Sequence, residues 1–296
     1  MTDRLIDISE GPARLKIRNE LLVIEREGCD DYTVPLPELG VLVVSNPQVS
    51  YTQAVLSGIA AAGGAFVACD EKHTPVGMLL PLKAHFVQAE RFGKQIEASL
   101  PTCKRLWQQL IEAKILAQGR LLKEFRGADE GLALMAEKVR SGDPDNIEGL
   151  ASRRYWPALF NDRKFRRNRD APDQNRHLNY GYAILRAIIS RGICAAGLHP
   201  SIGLHHHNRY DAFRLASDLM EPFRPIVDKA VVKWIESHDP LATIDSQTKA
   251  ALLAPLTGRF EIEGESRTLF DIASRTAASL AGVFMGKEKS LSLPEI

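Results

Sequence analysis

Cysteine is scarce in this chain, with four in 296 residues, and no two form a CxxC pair. That spacing excludes a zinc knuckle and a disulfide framework and points to reduced thiols in a cytosol. The opening MTDRLIDISE is charged and has no apolar signal core, so a cytoplasmic location is expected. No apolar run is long enough to span a membrane. The longest uncharged stretch, Leu39 to Cys69, is interrupted by Asn46, Pro47, Gln48, Gln53, Gly58, Gly63 and Gly64. There is no GxGxxG, which argues against a dinucleotide site, and no internal repeat or low-complexity tract. Bulk charge is also nearly absent, at +1, so charge placement must carry any argument for a nucleic-acid partner.

What is present divides by periodicity. Ala13–Glu25 reads as two strands around Asn19, Val41–Val44 as a short β-branched strand, and Tyr51–Ala62 as a helix ended by Gly63-Gly64. Phe66–Cys69 and Met78–Leu82 close a β-rich region. From Ala89 onward the pattern turns helical, over about 89–124, 130–141, 176–196, 208–236 and 268–286, with a short strand pair near Phe260–Leu269. The expected fold is α+β, with a small β-rich N-terminal domain (1–85) and a larger α-helical C-terminal domain (89–296).

Two stretches carry chemistry. In Ser201–Asp228, His205, His206 and His207 precede a helix on which Asp218 and Glu221 share a face at i, i+3. Apolar residues at 215, 219, 223, 226, 230 and 234 mark a neighbouring buried face, where a carboxylate is costly unless paired. A divalent cation would pair it. So would Arg214 or Arg224, and a solvated face would need no partner. Pro222 and Pro225 should kink or restart the helix after Glu221. In Asp143–Arg169, Asp143 or Asn146 should cap a helix that contains Glu148. From Arg153 to Arg176, eight basic residues stand against three Asp, so this segment is locally +5 and the remainder of the chain is −4. Tyr155, Trp156, Phe160 and Phe165 interleave with the charge. Arginines neutralise phosphates and rings stack on unpaired bases, although a solvated loop has the same composition.

The run from Gly197 to Val231, with Leu-Ala-Ser-Asp-Leu-Met-Glu-Pro-Phe-Arg-Pro at its centre, strongly resembles the CRISPR-associated spacer-acquisition integrase, the catalytic subunit of the adaptation complex. Glu148–Trp156 is similar to that family's Glu-Gly-x-Ala pattern, and Phe66–Leu82 to the end of its N-terminal β domain. Asn208–Phe213 looks most like members from type II systems. The resemblance implies Glu148, His206 and Glu221 as ligands of Mg²⁺ or Mn²⁺, with Asp218 supporting them and His205 and His207 as neighbours. Many members have Asp at the position of Glu221, and glutamate is an equally hard oxygen ligand. The implied activity is insertion of short foreign DNA into a CRISPR array by 3′-hydroxyl transesterification, with hydrolysis when water attacks. The implied partners are double-stranded DNA with 3′ ends, a second copy of the chain and a small ferredoxin-like CRISPR-associated subunit. Arg153, Arg163, Lys164, Arg166 and Arg167 are the expected phosphate contacts. Two other readings are a metal phosphohydrolase for small substrates and a noncatalytic DNA-binding scaffold.

Overall fold

Asn19 and Glu20 both have positive φ, 52° and 58°, the backbone that lets a two-residue turn follow the twist of its strands. They join β2 (Ala13–Arg18) to β3 (Leu21–Glu25) as an antiparallel hairpin, with Leu15 opposite Ile24. The computed structural model describes residues 3–70, 75–81, 83–206, 208–262 and 264–295. In chain order, the other elements of the N-terminal part are β1 (Arg4–Ile8), β4 (Tyr32–Pro35), β5 (Leu39–Val44), β6 (Val49–Tyr51), α1 (Gln53–Ala61), β7 (Ala65–Cys69) and β8 (Pro75–Leu79). They form two four-stranded sheets, β4-β3-β2-β6 and β1-β5-β7-β8.

β5 explains how these sheets join the rest of the chain. All six of its residues are buried, so it reads as an unbroken apolar run rather than an alternating one. Its alternate residues serve two cores. Leu42 and Val44 pack with Leu15, Leu22, Val55 and Phe66 between the sheets and α1. Val41 and Val43 point the other way, into the core of the helical region.

That region comprises α2 (Gln88–Ile96), α3 (Leu100–Arg126), α4 (Leu132–Ala136), α5 (Ile147–Leu159), α6 (Gln174–Ala195), α7 (Arg214–Leu219), α8 (Arg224–Ile235) and α9 (Ser246–Leu253). The strand pair β9 (Arg259–Ile262) and β10 (Glu265–Thr268) follows, then α10 (Leu269–Phe284). The architecture is α+β, β-rich then helical, as expected. Boundaries differ where capping outweighs periodicity. The expected helix over 89–124 is two helices, because Ser99 accepts a hydrogen bond from Thr102 N and Pro101 opens α3. Gly127, at φ 81°, ends it. The pattern over 208–236 is likewise broken. Residues 208 and 210–213 are turn and loop, α7 stops at Leu219, and Glu221–Phe223 forms a 3-10 turn before α8 restarts with Pro225 in its first turn. Helix α6 crosses α8 closely at Gly181, where a Cβ would meet Val227 at 2.4 Å.

Candidate active site

Asp143 and Asn146 both do the capping expected of them. The Asp143 carboxylate accepts from Ile147 N (2.8 Å) and Glu148 N (3.0 Å), and Asn146 Oδ1 accepts from Gly149 N (3.2 Å). Asn146 and Asp143 also take the positive φ that asparagine and aspartate tolerate. This cap fixes Glu148 in the first turn of α5. Glu221 arrives from the other side, held by the turn its following proline imposes.

Between the two glutamates stands Lys114 of α3. Its ammonium lies 2.6 Å from Glu148 Oε1 and 2.6 Å from Glu221 Oε2. Arg224 Nε is 3.0 Å from the same Glu221 oxygen. Lys114 is only 6% exposed and Glu221 3%. Burial opposes charge on Glu221, but Arg224 and Lys114 more than offset it and bring its pKa down to about 2. Burial also opposes charge on Lys114, and Glu221 and Glu148 reverse that and raise its pKa. Among the described residues, no three His, Cys, Asp or Glu side chains stand close enough to grip one ion.

His206 belongs to a loop wound round one carboxylate. Asp218 is fully buried and accepts from Leu204 N (2.6 Å), His205 N (3.1 Å) and His206 N (3.2 Å). It also pairs with His206 Nδ1, leaving Nε2 as the nitrogen not engaged by Asp218. That pairing raises the His206 pKa, and Glu221 and Glu148 are near enough to add to the effect. Gly203 permits the winding, since a Cβ there would come within 2.9 Å of Asp218 Oδ2. The Trp107 indole stacks face to face on His205 (4.2 Å, 2°) and meets His206 edge-on (5.6 Å, 88°). Buried Gln95 pins the start of the loop. Its amide donates to His199 O (3.0 Å) and Ile202 O (2.8 Å), and its oxygen accepts from His199 N (2.9 Å). His207 lies outside the described residues.

The basic segment divides. Arg153, Arg166 and Arg167 line a cleft of about 660 Å³ together with Glu148, Glu221 and Lys114. Trp156 and Phe165 supply ring surface in the same cleft. Arg163 and Lys164 are exposed and line none of the clefts described for these residues. Arg167 donates to Asn175 (2.9 Å) and Asn179 (2.6 Å). Its guanidinium and that of Arg224 lie 5.5 Å and 4.6 Å from the Tyr182 ring. Beyond Tyr182 a second cleft, of about 990 Å³, is lined by Arg169, Arg176 and Arg186 as well as Arg167 and Arg224. Behind this wall, Tyr155 (2.7 Å) and Tyr182 donate to fully buried Asp228. Burial pushes its carboxyl up to about 6 against those two hydroxyls.

Lys114, Gln95, Trp107, Tyr182, Arg186 and Asp228 are among the members that sequence reasoning missed. Lys114 had a readable signal. It sits on the apolar stripe of α3 formed by Trp107, Leu110, Ile111, Ile115 and Leu121, where a lysine is expensive without an acidic partner.

The model of the family described as CRISPR associated protein Cas1 matches residues 6–253. The CRISPR-associated endonuclease Cas1 of Neisseria meningitidis serogroup C is 35% identical over 299 residues, covering 100% of this chain and 97% of that one. The chain belongs to the Cas1 family. A second relative, a CRISPR-associated endonuclease Cas1 of Francisella tularensis subsp. novicida, is 28% identical over 307 residues and 95% of each chain. Three solved structures share the fold. A casposase bound to its integration product has a TM-score of 0.80 at 18% identity, over 97% of this chain and 92% of that one. A Cas1 protein from Thermotoga maritima has a TM-score of 0.78 at 16% identity, over 98% and 99%. A chain of a Cas6-RT-Cas1–Cas2 complex has a TM-score of 0.76 at 16% identity, over 98% of this chain and 36% of that one. The Cas1 membership agrees with the resemblance carried by Gly197–Val231.

Proposed function

We propose that this Cas1 chain is a metal-dependent DNA integrase and endonuclease that joins the 3′ end of a short foreign DNA to a CRISPR array. One observation carries the reading. Glu148 and Glu221, 73 positions apart in the chain, converge on one buried cation in a cleft lined by Arg153, Arg166 and Arg167. Drawn together with His206 on loading, they would supply two carboxylates and one imidazole, donors whose chemistry suits Mg²⁺ or Mn²⁺. When bound, the ion supplies Lewis-acid chemistry, lowering the pKa of the attacking hydroxyl and offsetting charge on the phosphate. The chain's own groups do the rest. Asp218 sets the tautomer and direction of His206. The cleft arginines hold phosphates, and the part-exposed Trp156 offers ring surface to an unpaired base. One phosphodiester replaces another, so no nucleotide cofactor is needed. Residues 1–85 serve as a β-rich N-terminal domain and residues 89–296 as an α-helical catalytic domain. The partners are double-stranded DNA with 3′ ends, a second copy of the chain and a small ferredoxin-like CRISPR-associated subunit. Similarity to a chain of the Cas1–Cas2 complex supports the last of these. No described helix is long and apolar enough to cross a membrane, and we place the protein in the cytoplasm.

A noncatalytic DNA-binding scaffold is the second reading. The ion pairs of Lys114 with Glu148 and Glu221 favour it, because they already neutralise the two acids. An integration assay separates the two. It combines a 3′-hydroxyl oligonucleotide, a supercoiled repeat-bearing plasmid, the small partner and Mn²⁺ or Mg²⁺. Wild type should form a covalent joint, and Glu148→Ala, His206→Ala and Glu221→Ala should not. His205→Ala should cost far less than His206→Ala. Joining that persists in the first three variants overturns the site, and DNA binding without joining by wild type supports the scaffold.

A further inference from the structure

Lys114 sits where a shared divalent ion would sit. Its ammonium is 2.6 Å from an oxygen of each glutamate, and a hard divalent ion binds such oxygens at about 2.0–2.6 Å. The two cations compete for one position. With Arg224 the two carboxylates are already neutralised, so an added divalent charge would face an ammonium at close range.

The two resident cations differ in freedom. Arg224 is a planar guanidinium fixed on the Tyr182 ring at 4.6 Å. Lys114 is a point charge on a four-carbon stem with rotatable donors. Its side chain lines the open cleft that holds Arg153, Arg166 and Arg167, so its ammonium can withdraw toward solvent without crossing the apolar core.

We propose that Lys114 is a tethered, exchangeable cation that holds Glu148 and Glu221 together in the metal-free protein and must withdraw from between them for a divalent ion to load. The inference rests on the metal reading given above. Removing the ammonium removes a competitor and leaves buried Glu221 and part-exposed Glu148 with one cation fewer between them. Both effects tighten metal binding. A lysine that only positions the ligands acts in the opposite direction, since its loss would scatter them.

The test is calorimetric titration of the full chain with Mn²⁺, using wild type, Lys114→Met, Lys114→Gln and Glu148→Gln. Each is checked by circular dichroism, and thermal melting is followed in EDTA and in Mn²⁺. Lys114→Met and Lys114→Gln should bind Mn²⁺ at least tenfold more tightly than wild type. They should melt lower in EDTA and gain more from Mn²⁺. Equal or weaker Mn²⁺ binding by either folded variant overturns the proposal while leaving the metal site standing. Absence of any Mn²⁺ binding that Glu148→Gln removes from wild type overturns both. A second measurement needs no variant. Acylation of Lys114 by an amine reagent, read by mass spectrometry on wild type, should rise when Mn²⁺ is added. Unchanged protection of Lys114 at saturating Mn²⁺ rejects the exchange.

Discussion

The sheets of the N-terminal region and the helix junction around Glu221 both exclude water, by opposite means. Among described residues 3–70, Ser45 is the one fully buried polar side chain, and the core is Leu, Val, Ile, Ala and Phe. The junction buries Lys114, Asp218, Glu221 and Asp228 within one helical core. Apolar contacts are interchangeable in kind, so the sheets can lose one side chain and pay only for the volume removed. Buried charges are balanced in sets, and removing one leaves its partner uncompensated. The region built for chemistry is thereby the less tolerant one.

Substitutions can break this contrast. The largest effect is expected at Glu221. Glu221→Gln takes the charge partner from Lys114 and Arg224 together and should cost about 3–5 kcal/mol in urea unfolding, along with strand joining. The same contact has a pH signature. Because the Glu221 pKa is lowered to about 2, its stabilising effect is present above its unfolded value of about 4.3 and is lost as pH falls from there toward 2. Wild type should lose more stability than Glu221→Gln over that window. An unfolding midpoint for Glu221→Gln within error of wild type would show that the charges are not balanced as a set.

Leu42→Ala is the apolar counterpart. Leu42 is fully buried between the sheets and α1, so the cost should be about 2–4 kcal/mol, with strand joining per folded molecule unchanged. Joining that drops with that change would mean the sheets do more than support.

Asp218→Asn should be milder for folding and selective for function. It should weaken metal affinity or joining by about 10–100-fold. Since pairing with Asp218 raises the His206 pKa, that pair stabilises below about pH 6.5 and its contribution is lost as pH rises through the raised value. Wild-type stability should therefore fall toward that of Asp218→Asn as pH increases, and parallel pH profiles would reject the coupling.

The smallest effects belong to Arg163→Ala and Lys164→Ala. Both side chains are exposed and outside the clefts that contain Arg153, Arg166 and Arg167. Each should reduce the salt dependence of DNA binding by about one unit or less, and by less than Arg153→Ala does. Equal slopes for all of these variants would move the DNA path onto the outer loop.

Much of this was legible from residues. Helical period and glycine punctuation marked the β-rich start and helical remainder, and the Asp143/Asn146 cap was readable beside Glu148. What stayed hidden depends on contacts between distant segments. A lysine at position 114 is an ordinary helix former until Glu148 and Glu221 fold against it. Trp107 reads as core, and only the packed loop shows it stacked on His205. Strands β4 and β6 are only four and three residues long, and β1 pairs with the distant β5, so pairing rather than intrinsic pattern defines them. His206 was singled out from three adjacent histidines by family resemblance alone. Of the two described histidines, His206 pairs its Nδ1 with Asp218, whereas His205 stacks on Trp107.

The loop from His199 to His206 is short of regular structure, yet four of its amides are held by side chains of Gln95 and Asp218. Gln95 takes that of His199, and Asp218 takes those of Leu204, His205 and His206. Slow solvent exchange of amide protons needs protected donors rather than a helix or strand. These four protons should therefore exchange on the timescale of the surrounding helices, marking a segment that holds its imidazole still instead of opening and closing over the cleft.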